Sequence, residues 1–297
     1  MKVFVTGASG FVGSAIVDEL LKAGHHVLGL VRSEKGAEQV KAAGADVLLG
    51  DVNDIDILNK GGTACDAVIH TAMNHDFSKF KQNCEDDRRV VTALGDILNG
   101  TNKPLVITSG VALLAKDGVI NENDVVTVSS DIIPRVATEE AVKIVATKGV
   151  NVYVVRLPPS VHGKGDHGFV PMIMSMALEK GQSAYAGDGS NQWSAVHRND
   201  AAKLYRLIIE QQPLHKNFHA VAEAGIAFRE IADAIGQGLN LPVISVTGDD
   251  QLAHFGWFNH FATINCPSSS DISQHVLGWM PDGAGLLDDM RTNYFSK

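Results

Sequence analysis

Apolar and polar positions follow a regular pattern over the first part of the chain. Residues 2–6 are β-branched and aromatic and predict a buried strand. Residues 14–23 place their apolar side chains at helical spacing, with charged side chains between them. Residues 27–31 predict a second apolar strand. The pattern therefore predicts a strand, a glycine-rich loop, a helix and a strand in succession, which is a βαβ unit.

The same alternation of strands and helices continues to the middle of the chain. Further strands are predicted at 46–50, 66–70 and 105–110, and helices at 36–43 and 86–98. These strands are apolar on both sides and helices separate them. The pattern predicts an α/β fold, a Rossmann-type doubly wound parallel sheet with helices on both faces.

The second half of the chain has a different character. Helices are predicted at 169–181, 200–209 and 228–239, and strands at 219–222 and 242–246. We expect residues 1–157 to form a dinucleotide-binding Rossmann domain. Residues 158–297 are expected to form mainly a smaller substrate-binding region, with later segments returning to the Rossmann core.

A glycine-rich segment joins the first strand to the first helix. A diphosphate can lie against the free N–H groups at a helix N-terminus, and glycines allow the backbone to approach it closely. The spacing predicts dinucleotide binding here. The predicted contacts are Gly7, Ser9, Gly10, Phe11, Val12 and Gly13.

Further cofactor contacts are predicted at the ends of the next strands. Arg32 and Ser33 follow the second strand, where a guanidinium suits the 2′-phosphate of NADP and an acidic residue would select NAD. Arg32 stacking on adenine is the alternative, so NAD stays possible. Asp51, followed by Val52, is placed either to accept from the adenine amino group or to cap the next helix. Thr71 and Ala72, after the fourth strand, lie where open α/β sheets bind ligands.

These motifs together carry a family resemblance. The segments 6–13, 50–52, 68–72, 155–163, 195–202 and 277–281 resemble those of the extended short-chain dehydrogenase/reductases. The resemblance implies a Rossmann domain, a nicotinamide cofactor and a smaller substrate region. It also implies that Pro158 and Val161, after the sixth strand, contact the cofactor.

The chain departs from this family at the catalytic pair. The family's reductases use Tyr-x-x-x-Lys, and matching the family's later glutamate to Glu139 puts Asp131 at the tyrosine position and Arg135 at the lysine position. None of the four tyrosines precedes a lysine by four residues. Arg135 can hold a ribose or a phosphate, but a guanidinium does not titrate to act as a base. The chain therefore resembles an atypical branch of the family.

Other residues are candidates for handling the proton. Ser109 ends the fifth strand, where the family has a hydroxyl that polarises the carbonyl; turn capping is the alternative role. The imidazoles of His70, His162 and His167 can exchange protons near neutral pH, and Asp131 is either an acid or a helix cap. We take Ser109, Arg135 and His162 as the catalytic candidates.

Candidate substrate contacts lie around the expected nicotinamide position. They are His75, His167, Trp193 and His197. Trp193 is placed to stack on substrate or to lie buried beneath its loop. The unusually aromatic segment 254–261 can wall an apolar substrate site, form a dimer contact or pack in the interior.

The amino-acid composition limits the kinds of partner that we expect this protein to bind. The formal charge of −9 without basic runs argues against nucleic acid. Three widely spaced cysteines predict neither disulfides nor a metal site, and no stretch is apolar enough for a membrane span. We expect a cytoplasmic protein without a signal peptide, with a small-molecule substrate and a possible homodimer.

The sequence predicts an NADP-linked oxidoreductase acting on a small carbonyl or alcohol. Two other hypotheses remain open. One is an NADP(H)-binding regulator or sensor that has lost catalysis, suggested by the missing tyrosine. The other is an epimerase or isomerase that keeps its cofactor bound.

Overall fold

The computed structural model describes residues 1–295, which form three β-sheets and their surrounding helices. The strands are β1 (Lys2–Thr6), β2 (His26–Val31), β3 (Asp46–Leu49), β4 (Ala67–His70), β5 (Leu105–Gly110), β6 (Val152–Leu157), β7 (Ser160–His162), β8 (Ser183–Ala186), β9 (Gln192–His197), β10 (Asn217–His219), β11 (Glu223–Ala227) and β12 (Val243–Val246). The α-helices are α1 (Phe11–Lys22), α2 (Glu34–Ala42), α3 (Ile55–Ala64), α4 (Phe80–Leu98), α5 (Ala137–Thr147), α6 (Phe169–Lys180), α7 (Arg198–Gln211), α8 (Phe228–Leu239), α9 (Gly248–Phe255), α10 (Asn259–Thr263), α11 (Asp271–Leu277) and α12 (Leu286–Asn293).

Seven parallel strands form the main sheet in the order β10-β6-β5-β4-β1-β2-β3. The chain runs outward from β1 to β3 and then returns to the other side of β1 with β4. The strand order therefore reverses between β1 and β4. Open α/β sheets bind ligands outside the carboxyl ends of the strands at such a reversal. This is the Rossmann-type doubly wound sheet that the sequence predicts.

Apolar side chains cover both faces of this sheet. Val3 and Val5 of β1 pack in one core with α1 and α7, whereas Phe4 between them packs in another core with α4 and α5. Successive side chains of a strand point to opposite faces, so each strand of this sheet contributes to both cores. Such double coverage explains why the strands have continuous apolar sequences.

The C-terminal half builds a second body and also returns to the first. The small sheets β11-β9-β7 and β12-β8 pack with α6, α8 and α9 around a separate core. Helix α7, however, packs along α1, and β10 pairs with β6 at the edge of the main sheet. The two bodies are therefore joined by shared elements, and the segment 198–219 belongs to the Rossmann part.

Most predicted elements are found, with shifted bounds. β5 and α8 have the predicted limits, whereas α4 begins at Phe80 rather than at residue 86, because Asn83 and Cys84 extend its buried face. The predicted strand at 219–222 is wrong: β10 ends at His219, and β11 begins at Glu223. Within residues 1–295, no helix combines the length and the apolar character that crossing a membrane requires.

Candidate functional site

The turn between β1 and α1 is closed by glycines that no other residue can replace without displacing backbone. Gly7 has φ +69, and a Cβ there would lie 2.9 Å from the Cα of Ala72. A Cβ on Gly13 would lie 2.1 Å from the carbonyl oxygen of Gly7. The N–H of Gly10 donates to that same carbonyl oxygen over 2.8 Å, which fixes the turn at the helix entry.

Gly10 has a different environment from its two neighbours. A Cβ there would meet only the Gly7 carbonyl oxygen, at 3.1 Å, among the residues that the structure describes. Apart from this one tight backbone contact, no other atom in the described range beyond the adjacent residues comes within 4 Å of that position. It lies beside the N–H groups that begin α1 and have no partner within the helix. This arrangement fits a diphosphate that approaches the backbone closely.

Two hydroxyls and a guanidinium lie at the end of β2. Ser33 caps α2, its Oγ accepting from the N–H of Gly36 over 3.2 Å. A Cβ on Gly36 would lie 2.9 Å from Ser9 Oγ and 3.3 Å from Ser33 Oγ, so both hydroxyls flank this glycine. Arg32 is exposed and has no hydrogen bond or ion pair with any residue in the described range. The group offers donors to an anion beside the crevice.

The other predicted cofactor contacts are distributed along the same edge of the sheet. Thr71 donates to the carbonyl oxygen of Thr6 over 2.8 Å, and this contact holds the end of β4 against the glycine turn. Asp51 accepts from the N–H of Asn53 over 2.8 Å in a local turn, and Asp54 caps the next helix instead. Val52, Ala72 and Val161 are half-buried, whereas Pro158 is buried.

A series of buried hydrogen bonds, which we call the relay, connects Thr6 at the end of β1 to Arg135 through His70 and Asp87. Thr6 Oγ1 and His70 Nδ1 are 2.7 Å apart, and His70 Nε2 lies 2.9 Å from Asp87 Oδ1. Arg135 Nη1 donates to Asp87 Oδ2 over 2.6 Å, and Thr138 Oγ1 also donates to Asp87. Burial alone would raise the pKa of Asp87, but the charge of Arg135 and the His70 hydrogen bond hold it well below the usual range. Asp87 therefore stays ionised and fixes the guanidinium.

Sequence reasoning missed Asp87, although a signal exists. It lies on the buried face of α4 with Val90, Val91 and Leu94, at positions one helical turn apart. An acidic residue on an otherwise apolar helix face requires a partner when it is buried. That partner, Arg135, comes from a short 3₁₀ turn (Pro134–Val136) just before α5.

Asp131 is not placed to act as an acid or a helix cap. It is exposed in the turn before Pro134, and α5 begins only at Ala137. Three tyrosine hydroxyls are engaged within the protein: that of Tyr205 is 2.7 Å from Thr108 Oγ1, that of Tyr153 donates to the Pro213 carbonyl oxygen, and that of Tyr294 donates to Asp166 Oδ2.

The structure contradicts the role expected of Ser109. Its Oγ donates to Glu139 Oε1 over 2.7 Å, and Arg156 Nε donates to the same oxygen over 2.8 Å. All three side chains are buried. Burial alone would raise the pKa of Glu139, but hydrogen bonding and the charge of Arg156 lower it. Ser109 is on the α5 face of the sheet, because its side chain alternates with that of Thr108, and it serves this ion pair.

His162 also lies outside the expected site. It is 1% exposed, and its Nδ1 is 2.8 Å from Asp289 Oδ2 on α12. Its Nε2 has no hydrogen-bond partner in the described range, and the nearest acid, Glu223, is 3.9 Å away. The ring connects β7 to the C-terminal helix, so it is not accessible to a substrate in this arrangement.

The predicted substrate contacts have different environments in the structure. Trp193 is fully buried and donates from Nε1 to the Phe261 carbonyl oxygen over 3.1 Å, so the prediction that it stacks on substrate is wrong. His197 is half-buried and caps α7. His167 is exposed and packs edge-on against Phe11 of the glycine turn, with 5.7 Å between the ring centroids.

His75 lies in the segment between β4 and α4, and its side chain is exposed. Partial desolvation by neighbouring protein atoms lowers the pKa of His75, and the charges of Arg135 and His167 lower it further. His75 is therefore influenced electrostatically by Arg135 and by His167, whose ring packs against Phe11.

The sheet reversal, the glycine turn and the polar cleft beside it define a dinucleotide-binding α/β protein. The model of the NAD-dependent epimerase/dehydratase family matches residues 3–220. The chain therefore belongs to this family, which places it among NAD(P)-binding proteins of the short-chain dehydrogenase/reductase type.

Several individual proteins are similar to this chain over most of its length. An uncharacterized protein of Schizosaccharomyces pombe is 46% identical over 295 residues, which cover 99% of this chain and 100% of the relative. A sterol-4-alpha-carboxylate 3-dehydrogenase (decarboxylating) of Dictyostelium discoideum is 26% identical over 245 residues, 77% of this chain and 73% of the relative. The solved structure of dTDP-glucose 4,6-dehydratase from Streptomyces venezuelae, with NAD bound, has a TM-score of 0.78 at 18% identity and covers 99% of this chain and 95% of its own. The last similarity shows the fold alone.

Proposed function

We propose that this protein is an NADP(H)-dependent oxidoreductase that interconverts a small carbonyl compound and its alcohol. The nicotinamide, when bound, supplies or takes up the hydride at the carbonyl carbon. The observation that carries the proposal is the guanidinium of Arg135, which Asp87 holds in place and whose charge acts on the exposed His75. The dehydrogenase name of the Dictyostelium relative supports the same class of reaction.

Arg135 has the role of binding and polarising the substrate oxygen. Its Nη1 donates to Asp87 and its Nη2 donates to the Thr108 carbonyl oxygen over 2.9 Å, so the side chain is rigid. Its side chain is 17% exposed, so the residue is not fully enclosed by protein. A fixed positive group stabilises the negative charge that develops on a carbonyl oxygen as hydride adds to the carbon. The guanidinium does not itself give up a proton.

His75 has the role of delivering the proton to that oxygen. Its lowered pKa makes the protonated imidazole a stronger acid than an ordinary histidine, and solvent contact allows it to take up the next proton. The sign of the pH dependence follows directly. Protonated His75 accumulates only as the pH falls toward its pKa, which lies below 6.5, so carbonyl reduction becomes faster in that direction.

The preference for NADP(H) is assigned to the unpaired Arg32. A 2′-phosphate beside it would receive charge-assisted hydrogen bonds, with the Ser33 and Ser9 hydroxyls as further donors. The hydroxyl of Ser33 uses its oxygen to cap α2, so its proton remains available. The structurally similar dTDP-glucose 4,6-dehydratase was solved with NAD bound. In this protein, the choice between NAD and NADP is proposed to depend on Arg32, Ser33 and Ser9.

The experiment is a turnover assay with a panel of aldehydes and ketones, following the absorbance of the reduced nicotinamide. We expect carbonyl-dependent NADPH consumption that Arg135→Gln and His75→Gln each reduce by about 100-fold, within the usual range for charge stabilisation and proton transfer. His75→Gln should also flatten the rise in rate below pH 6.5. Arg89→Gln and His260→Gln, both exposed in the wild type, are matched controls that should retain activity. An absence of turnover with every carbonyl would contradict the proposal.

An NADP(H)-binding regulator is the second candidate, and one observation favours it. The residue at the family's tyrosine position, Asp131, is exposed and outside the relay, and the hydroxyl groups of Tyr153 and Tyr205 are engaged within the protein. A regulator would bind NADPH saturably without carbonyl turnover. The two outcomes of the assay above distinguish it from the oxidoreductase.

An epimerase or isomerase is the remaining alternative, because the description of the family names epimerases. Such an enzyme would return the hydride to its substrate. It would copurify with its cofactor and form product without net NADPH consumption. Mass spectrometry of the denatured purified protein measures the retained cofactor.

A further inference from the structure

A set of stacked aromatic rings crosses the cleft between the two bodies of the molecule. Phe77, in the 3₁₀ turn (Phe77–Lys79) before α4, stacks on Trp257 with 4.8 Å between the ring centroids and 29° between the planes. It also stacks on Phe80, with 5.6 Å and 26°. Phe261 and Phe169 lie at 6.2 and 6.3 Å from the same ring. We call Phe77, Phe80 and Trp257 the ring stack.

The ring stack is open to solvent in a way that the interior aromatics are not. Trp257 is 54% exposed, whereas the other two tryptophans, Trp193 and Trp279, are buried. Phe77 and Phe80 are each half-buried. An exposed tryptophan that packs face to face on a phenylalanine presents apolar, planar surface to the cleft, and such surface is a common feature of binding sites.

The ring stack lies next to the groups that carry the proposed chemistry. The ring of His75 is 6.5 Å from that of Phe77, and His75 is influenced by the charges of Arg135 and His167. His167 in turn contacts Phe11 at the glycine turn. The rings of Trp257, Phe77 and His75 therefore follow one another up to the position proposed for the substrate oxygen.

The chemistry of the ring stack favours an uncharged planar partner. In the described residues, the arginine and lysine groups that lie over aromatic rings do so at Phe11, Tyr153 and Tyr185, and none lies over the ring stack. Phe169 and Phe261 form the aromatic wall next to the ring stack. Offset stacking and edge contacts at these centroid distances favour another flat ring.

We propose that the substrate carries an aromatic or conjugated planar group attached to its carbonyl carbon. This group packs against the exposed ring of Trp257 and the edge of Phe77 while the oxygen faces His75 and Arg135. This inference rests on the proposed oxidoreductase function and specifies its substrate class. A saturated aliphatic carbonyl of similar size gains only nonspecific apolar contact with the same rings.

The test compares 2-naphthaldehyde with hexanal, using three variants of the full-length protein. Trp257→Leu and Phe77→Leu remove a ring but keep an apolar side chain, and Trp257→Phe keeps a ring. Calorimetry in the presence of NADP⁺ measures the Kd of each aldehyde without turnover. We expect the two leucine variants to raise the Kd of 2-naphthaldehyde about fivefold or more. Trp257→Phe should change that Kd less than about twofold, and in all three variants the Kd of hexanal should also change less than about twofold.

The outcomes separate this inference from the proposed function. Equal weakening of both aldehydes, or no weakening in the leucine variants, would overturn the ring-stack proposal even if the enzyme consumes NADPH. Ring-dependent binding of 2-naphthaldehyde without NADPH consumption would support the binding site and contradict the oxidoreductase function. In a protein that turns over, the leucine variants should raise KM for 2-naphthaldehyde and leave kcat within about twofold, because the rings do not touch the reacting atoms. Circular dichroism of each variant verifies that it is folded.

Discussion

Arg135 donates a hydrogen bond of 2.6 Å from Nη1 to Oδ2 of Asp87, a residue 48 positions earlier in the chain. The pair joins the turn before α5 to the buried face of α4, and His70 extends it to the end of β1. These hydrogen bonds fix the position of the guanidinium, which like any arginine carries a positive charge. In the function proposed above, this fixed cation acts on the substrate oxygen.

Breaking this pair should destabilise the protein. Arg135→Leu leaves Asp87 buried without its cation, and we expect a loss of about 3 kcal/mol in the free energy of unfolding. This is the low end of the range for buried pairs, because His70 and Thr138 still hydrogen-bond the carboxylate. Urea denaturation measures the loss. Arg89→Leu, which removes an exposed ion pair with Asp86, should cost less than about 1 kcal/mol, and equal losses in both variants would contradict this account.

His219 should make the protein less stable in mild acid. Burial, and then the charge of Arg156, lowers the pKa of His219 to about 4. The unfolded chain binds this proton near pH 6.5 and the folded chain only near pH 4, so the free energy of unfolding falls as the pH decreases through that window. The full difference corresponds to roughly 3 kcal/mol.

The measurement is urea denaturation of wild type and His219→Gln between pH 6.5 and 4.5. The glutamine amide can still donate to the Ser269 carbonyl oxygen, which His219 Nδ1 contacts at 2.9 Å. We expect a shallower pH dependence in the variant. His260→Gln, an exposed control, should keep the wild-type slope. An unchanged slope in His219→Gln would show that His219 is not the group responsible.

Two similar substitutions in the glycine turn should change the free energy of unfolding by very different amounts. Gly13→Ala forces a Cβ to within 2.1 Å of the Gly7 carbonyl oxygen, so backbone must move. We expect a loss of about 3 kcal/mol or more, above the usual cost of overpacking because the obstacle is backbone. Gly10→Ala, whose Cβ meets the same oxygen at 3.1 Å, should have a free energy of unfolding within about 1 kcal/mol of the wild-type value. Thermal and urea denaturation of both variants tests the difference.

Arg32 should determine cofactor choice without affecting the fold. Arg32→Gln removes an exposed and unpaired guanidinium, and we expect the Kd for NADPH to rise about 10- to 100-fold, the value of hydrogen bonds to a charged group. The Kd for NADH should change less than about threefold, because that cofactor lacks the 2′-phosphate. Fluorescence titration with the two reduced cofactors measures both values. Equal changes for NADPH and NADH would assign Arg32 another role, such as stacking on adenine.

The fold was predictable from the sequence because its signals are local. The glycine turn, the two-sided apolar strands and the amphipathic helix α8 each follow from residues within one element. The roles of single side chains were less predictable. In a strand covered on both faces, sequence does not reveal which face meets the cleft, so Ser109 was assigned to the substrate although it serves Glu139 and Arg156.

The side chains whose roles were misassigned or missed depend on contacts between distant segments. Trp193 hydrogen-bonds a carbonyl 68 residues away, and His162 contacts Asp289 at a separation of 127 residues. No periodicity or motif records such pairings. Asp87 was the exception, because an acidic residue on a buried helix face already indicates a partner, and only the identity of that partner, Arg135, required the structure.

The central claim is that the diphosphate of a dinucleotide lies against the backbone of the turn at Gly10. Calorimetric titration of NADPH into the wild type and Gly10→Ala proteins tests it most directly, because the added methyl group enters the open space beside the turn. We predict saturable binding of one NADPH per wild-type chain and at least about tenfold weaker binding to the folded variant. No saturable binding to the wild type, or equal affinity in the two proteins, would contradict the claim.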